Sequence, residues 1–269
     1  MEPVYRTLEL IAFGLRGVQG LRIDRRGSDN IPASGGAVLA INHTGYLDFL
    51  AVALGVEARG RRIRFMIKSE MMDIAIMRFL INHTKTVPVD RSAGHEAYAT
   101  AVDSLRSGEL LGVYPEATIS RSFEIKELKS GAVRMAAAAG VPVIPVICWG
   151  AHRVWTKGGI RKIGYTRFPV VLEYGSPIDV SGVALDSTAS VDEKVSQVRE
   201  TMSTMLHAIQ DEYPHPAGEP WVPARLGGSA PTADEAKVIE DDEALGDWLP
   251  PEGAETRFDL DHFVGALGP

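Results

Sequence analysis

The stretch Ala37-Val38-Leu39-Ala40-Ile41-Asn42-His43-Thr44-Gly45-Tyr46-Leu47-Asp48 decides the architecture. Residues 37–42 form a short apolar run suited to a buried strand. A turn follows at once, and a helical pattern begins near residue 47. A strand that feeds directly into a helix is the building unit of an open α/β sheet, where ligands gather at the carboxyl ends of the strands.

The same unit recurs outward from this stretch. Apolar runs at 63–67, 86–89, 110–114, 142–149 and 169–174 predict further strands. Helical spacing predicts helices at about 47–54, 70–80, 94–107, 131–139 and 191–212. The expected fold is α/β, a mixed, mostly parallel sheet with helices on both faces. Near the start, Val4, Leu8, Ile11, Leu15 and Val18 recur at helical spacing, so 3–19 reads as an amphipathic helix too short and too charged to span a bilayer. It suits either packing on its own domain or lying in a membrane interface. Glu2, Arg6 and Glu9 interrupt any apolar core of a signal peptide.

The chain has 269 residues, 45% hydrophobic and 23% charged, which fits a globular protein rather than a disordered chain or a polytopic membrane protein. A formal charge of -7 argues against general nucleic-acid binding. Cys148 is the single cysteine, which excludes an intramolecular disulfide framework. The charge is unevenly spread. Residues 215–269 hold twelve acidic and three basic residues, whereas 1–214 carry a net +2. This Pro/Gly-rich segment reads either as an arm docked through Trp221, Trp248, Leu249 and Phe263 or as a disordered acidic tail. In the first case it could shield a basic face until lipid displaces it.

His43 and Asp48 are five residues apart across a turn and the first turn of a helix. Such a turn can bring the carboxylate to one imidazole nitrogen and leave the other to act as a general base. The spacing alone equally suits a capping histidine and a first-turn acid that complements the helix dipole. Three further blocks follow in order. Val87-Pro88-Val89-Asp90-Arg91 ends a strand with an arginine. Tyr114-Pro115-Glu116-Ala117-Thr118 ends another with a carboxylate and a hydroxyl. Val141-Pro142-Val143-Ile144-Pro145-Val146 is an apolar strand with two prolines.

Together these four blocks resemble the PlsC-like glycerolipid acyltransferase family, which includes the 1-acylglycerol-3-phosphate acyltransferases. The resemblance covers about 37–150 and extends toward the helix ending near 212. It implies a glycerol-phosphate acyltransferase-like domain over 1–214, with 215–269 as the arm or tail. It also implies transfer of a fatty acyl group from an acyl-CoA or acyl carrier protein thioester to lysophosphatidic acid, without a cofactor. His43 would be the general base, with Asp48 orienting it. Arg91 matches the phosphate-binding arginine, and Glu116 and Thr118 match acceptor-binding residues. Glu116 would meet an acceptor hydroxyl or position Arg91.

The family's glycine is Ala117 here, and its next arginine is Ile119, so Arg121 or Lys129 would have to supply that cation. Lys68 adds positive charge at a strand end. A different lysolipid or polar-lipid alcohol is the alternative acceptor, and a catalytically silent lipid-binding protein is the alternative class.

The tripeptide Asn82-His83-Thr84 repeats Asn42-His43-Thr44, but Pro88 stands where an acid would be needed, so His83 reads as structural. The other histidines show no metal-ligand spacing, and no metal is expected. Cys148 reads as core. Lipid substrates require a membrane surface, and the expected location is its cytoplasmic face, peripheral or monotopic. Arg59, Arg61, Arg62 and Arg64 form one candidate headgroup patch; Arg153, Lys157, Arg161, Lys162 and Arg167 form a second, interleaved with aromatics.

Overall fold

A computed structural model describes residues 2–89, 94–162 and 164–246. Seven strands form one sheet: β1 (Arg22–Arg26), β2 (Ala37–Ile41), β3 (Ile63–Lys68), β4 (Val87–Val89), β5 (Leu110–Val113), β6 (Val143–Trp149) and β7 (Pro169–Tyr174), in the order β1-β7-β6-β2-β5-β3-β4. Neighbours run parallel except β6 and β7, which are antiparallel. The helices are α1 (Pro3–Gln19), α2 (Asp48–Glu57), α3 (Ala75–Thr84), α4 (Gly94–Arg106), α5 (Gly131–Ala139), α6 (Thr188–Glu212) and α7 (Ala233–Gly246).

Strand alternation divides the core. Ala37, Leu39 and Ile41 of β2 face the side covered by α2, together with Ile144, Val146 and Cys148 of β6. Val38 and Ala40 face the other side, where α4, α5 and α6 bring Ala101, Leu105, Val133, Met202 and Leu206. All five residues of β2 are buried, as a central parallel strand covered on both faces requires.

Three regions depart from the expectation. β1 (Arg-Ile-Asp-Arg-Arg) has no apolar run, because it is an edge strand whose charges face water. The expected helix 70–80 is instead a short 3-10 turn, Ser69–Asp73, followed by α3, with extended backbone at Ile74 between them. α7 lies in the segment read as poorly periodic. Its start is a capping box: the Glu235 carboxylate accepts from the Thr232 N–H at 2.8 Å, and Thr232 Oγ1 accepts from the Glu235 N–H at 3.3 Å. Before it, Trp221 and Val222 are buried in the core beside α6. Trp248, Leu249 and Phe263 lie outside the described residues.

Helix α1 packs on the domain through Ala12 and Leu15, beside Leu50 and Leu54 of α2. Ion pairs add to this contact: Glu9 meets Arg62 at 3.0 Å, and Glu2, just before the helix, meets Arg64 at 2.7 Å. A second apolar set, Leu10, Ile11 and Val18, faces outward, 59%, 52% and 60% exposed. The arginine patch at 59–64 is therefore corrected. Arg62 and Arg64 bind α1, Arg64 also binds Glu109, and Arg61 donates to the carbonyls of Pro32, Gly35 and Gly108. Arg62 and Arg64 fasten the helix and Arg61 ties loops together, instead of facing headgroups. Arg153 of the second patch is likewise engaged, between the Phe168 and Trp221 rings at 4.1 Å from each centroid.

Candidate active site

β2 ends at Ile41, and the chain turns through Asn42-His43-Thr44-Gly45 into α2, whose first residue is Asp48. The turn exists because Asp48 Oδ2 accepts from the backbone N–H groups of Thr44 at 2.8 Å and Gly45 at 2.7 Å. The same oxygen lies 3.4 Å from His43 Nδ1. Asp48 is fully buried, and the His43 side chain is 22% exposed. Two amide donors at the start of α2 fix the position of this carboxylate. It directs one imidazole nitrogen inward and leaves the other for a substrate.

Neighbouring groups lock this turn from several sides. Asn42 is buried and exchanges both hydrogen bonds with the backbone of Cys148 on β6, at 2.7 and 3.2 Å. A Cβ at Gly45 would lie 2.8 Å from His152 Cα and 2.9 Å from the Trp155 carbonyl, so only glycine fits there. Thr156 Oγ1 donates to the Thr44 carbonyl at 2.5 Å. The His43 ring stacks on Tyr114, centroids 4.2 Å apart. Nothing in the spacing of Thr156 or Tyr114 marks these contacts; Tyr114 was legible only as the first residue of its block.

Glu116 is 4% exposed, and both of its oxygens face backbone amides: Oε1 accepts from the His43 N–H at 2.8 Å, and Oε2 from the Lys126 N–H at 3.1 Å. Burial raises its pKa to about 7, against the lowering effect of those two donors. Glu116 therefore braces the loop that carries His43. Its expected partner Arg91 lies outside the described residues.

Thr118 stands in the same loop and accepts from Lys126 Nζ at 2.6 Å, and that ammonium also pairs with Glu240 of α7. Lys126 escaped the sequence reading, since no motif singles it out. Ala117 takes a left-handed backbone, φ 64°, at the position where the family carries glycine. Ile119 is buried, 3% exposed. Arg121 lines an open cavity of about 450 Å³ with Tyr46, Trp155, Thr156, Lys157 and Arg161. Lys68 is exposed at the carboxyl end of β3, which is separated from β2 by β5. Arg91 lies outside the described residues.

Two other groups stay apart from the chemistry. Cys148 is buried, and burial and the nearby Asp48 push its thiol well above the ordinary range, so it remains protonated. His152 is buried against the Trp221 carbonyl, 3.2 Å from Nε2, and burial lowers its pKa to about 3. Among the described residues, no group of three or more His, Cys, Asp or Glu side chains is arranged to hold a metal ion.

Known proteins resemble this chain in sequence and in fold. The sequence model of the acyltransferase family matches residues 22–149, which run from β1 to the end of β6. A 1-acyl-sn-glycerol-3-phosphate acyltransferase of Bacillus subtilis is 30% identical over 157 residues, covering 57% of this chain and 75% of that protein. One from Haemophilus influenzae is 27% identical over 175 residues, covering 62% and 68%. The crystal structure of the 1-acyl-sn-glycerophosphate acyltransferase PlsC from Thermotoga maritima shares the fold, with TM-score 0.63 and 22% identity over 78% of this chain and 81% of that one. Motif order, sequence identity and fold agree, and the chain belongs to the PlsC-like glycerolipid acyltransferase family.

Proposed function

We propose that this glycerolipid acyltransferase moves a fatty acyl group from the thioester of coenzyme A or acyl carrier protein to the free hydroxyl of lysophosphatidic acid. The observation that carries the reading is the buried Asp48 carboxylate, held by two amides and aimed at His43 Nδ1. The far nitrogen of the ring takes the acceptor's hydroxyl proton as the oxygen attacks the thioester carbon. The C–O bond forms, the C–S bond breaks, and the departing thiolate receives the proton from the imidazolium. A thiolate leaves readily, so no covalent acyl-enzyme is needed, and Cys148 is unsuited to form one because it is buried and protonated. Arg91 would bind the acceptor phosphate, with Thr118 and Arg121 beside it and Lys68 adding charge at the rim; Glu116 positions His43.

The substrates are lipids, and the outward apolar stripe of α1 supports binding to a membrane surface as a peripheral protein, on the cytoplasmic face. Among the described residues no helix is long and apolar enough to cross a membrane. Residues 1–214 would form the catalytic body, with 215–269 an arm packed on it through Trp221. A different lysolipid acceptor is the second reading, favoured by the strained Ala117 and the buried Ile119 at the acceptor loop.

The test is thiol release from an acyl-CoA with and without lysophosphatidic acid, beside a panel of other lysolipids and monoacylglycerol. Release that depends on lysophosphatidic acid is expected. Release with another lysolipid only would select the second reading, and release with none would end the enzymatic one.

A further inference from the structure

Lys126 joins parts of the molecule that are far apart in sequence. Its N–H donates to Glu116 Oε2 at 3.1 Å, and Glu116 Oε1 accepts from His43, so one buried carboxylate ties it to the catalytic turn. Its carbonyl is held by Arg199 Nε of α6 at 3.0 Å. Its ammonium donates to Thr118 Oγ1 at 2.6 Å, and the anion paired with it comes from α7, 114 residues along the chain. The two charged side chains are only 23% and 20% exposed. A fixed cation and a hydroxyl thus form a seat for an anion within the catalytic loop, and the protein's own Glu240 sits in it.

Glu240 fills that seat incompletely. Oε2 meets Lys126, while Oε1 is buried with no hydrogen-bond partner. A buried acceptor left unmatched carries a desolvation penalty, so this carboxylate is held less firmly than its ion pair implies. A phosphomonoester brings more charge and three acceptor oxygens. Ile119 is buried and apolar, and Lys126 places a cation beside Thr118.

We propose that Lys126 and Thr118 form a second seat for the phosphate of the acceptor, adding to the contacts proposed above, and that Glu240 of α7 competes with that phosphate for it. The proposal rests on the lysolipid-acceptor reading above. A phosphomonoester is present on the coenzyme A donor as well, so the experiment must separate the two sources.

The full chain is compared with Lys126→Met, Lys126→Arg and Glu240→Gln. Lys126→Met should raise the KM for lysophosphatidic acid about tenfold or more, the size of a lost charged hydrogen bond. It should leave kcat, the donor KM and the KM for monoacylglycerol nearly unchanged. Lys126→Arg should retain most of the affinity, and Glu240→Gln should lower the KM for lysophosphatidic acid severalfold. A rise in donor KM instead would assign the seat to the donor and overturn the proposal. So would a fall in kcat at constant KM, or a Glu240→Gln enzyme whose KM is no lower. Calorimetric binding of a short-chain lysophosphatidic acid without donor separates this proposal from the functional reading. Binding that follows Lys126 and Glu240 in a protein that transfers no acyl group would leave the seat standing and remove the reaction. Binding indifferent to both residues would remove the seat whatever the turnover.

Discussion

The tripeptide Asn-His-Thr occurs twice, at 42–44 and at 82–84, and the two copies have opposite environments. The first lies just beyond β2, where the backbone leaves the ladder of the sheet. There Asn42 is fully buried, and the amides of Thr44 and Gly45 are free to bind Asp48. The second lies at the end of α3, where backbone amides are spent within the helix. Asn82 and His83 are exposed, and His83 Nδ1 bonds the Phe79 carbonyl at 2.7 Å. Identical residues thus yield a candidate base in one place and a solvated helix end in the other. What separates them is a turn whose free amides can collect a carboxylate.

The strongest way to break this comparison is to remove each histidine. His43→Ala should reduce kcat/KM by about 10³-fold or more, within the range of a lost general base. His83→Ala should leave it nearly unchanged. The readout is acceptor-dependent thiol release, with circular dichroism to confirm that both variants fold. Comparable losses in the two would show that position at a strand end confers nothing special.

The first copy was legible because its parts lie close in sequence: a strand, a turn, and an acid five residues after the histidine. The strand–helix alternation was legible for a similar reason, since buried parallel strands must be apolar along their length. What escaped depends on contacts that cross the fold. The charged β1 reads as a strand only once β7 offers it an edge. The arginines at 62 and 64 read as a surface patch until Glu9 of α1 and the preceding Glu2 close on them. Lys126 acquires a role only when Thr118 and Glu240 converge on its ammonium. α7 was missed although its Thr232–Glu235 capping box lies within four residues, because the acidic composition around it argued against a packed helix.

A second contrast is titration. The first copy is braced by Glu116, whereas the second has no buried carboxylate bonded to its backbone among the described residues. Burial raises Glu116 from 4.5 to about 7, so the folded state holds a proton that the unfolded chain releases. That contribution is fully present below pH 4.5 and is lost as pH rises through 7. His152 acts in the opposite direction: lowered to about 3 from 6.5, it contributes stability above pH 6.5 that is lost as pH falls toward 3. The two slopes oppose each other between pH 4.5 and 6.5, so the useful quantity is the difference between the natural chain and Glu116→Gln. That difference should change by about 2–3 kcal/mol between about pH 5 and pH 8 in urea titrations. The Gln variant should lack the loss of stability on the alkaline side. Parallel pH profiles would mean that Glu116 carries no bound proton in the folded state.

The third residue of the tripeptide reverses the order of the first two. Thr44 is 1% exposed, and its Oγ1 is buried without a hydrogen-bond partner, while its N–H and carbonyl do the binding. Thr84 Oγ1 bonds both the Leu80 carbonyl at 2.8 Å and Thr86 Oγ1 at 2.7 Å. Valine keeps the shape of threonine and removes the hydroxyl. At 44 it removes an unmatched polar atom, so Thr44→Val should be neutral or stabilising by up to about 1 kcal/mol. At 84 it removes two bonds, one of which leaves the Thr86 hydroxyl without that partner, so Thr84→Val should destabilise by about 1–2 kcal/mol. Urea midpoints at constant m-value measure both. Effects of the same sign would mean that the Thr44 hydroxyl is matched in solution and that the turn is less dry than its burial implies. Opposite signs would show that the catalytic turn uses its threonine for backbone atoms alone, while the copy that does no chemistry uses the side chain.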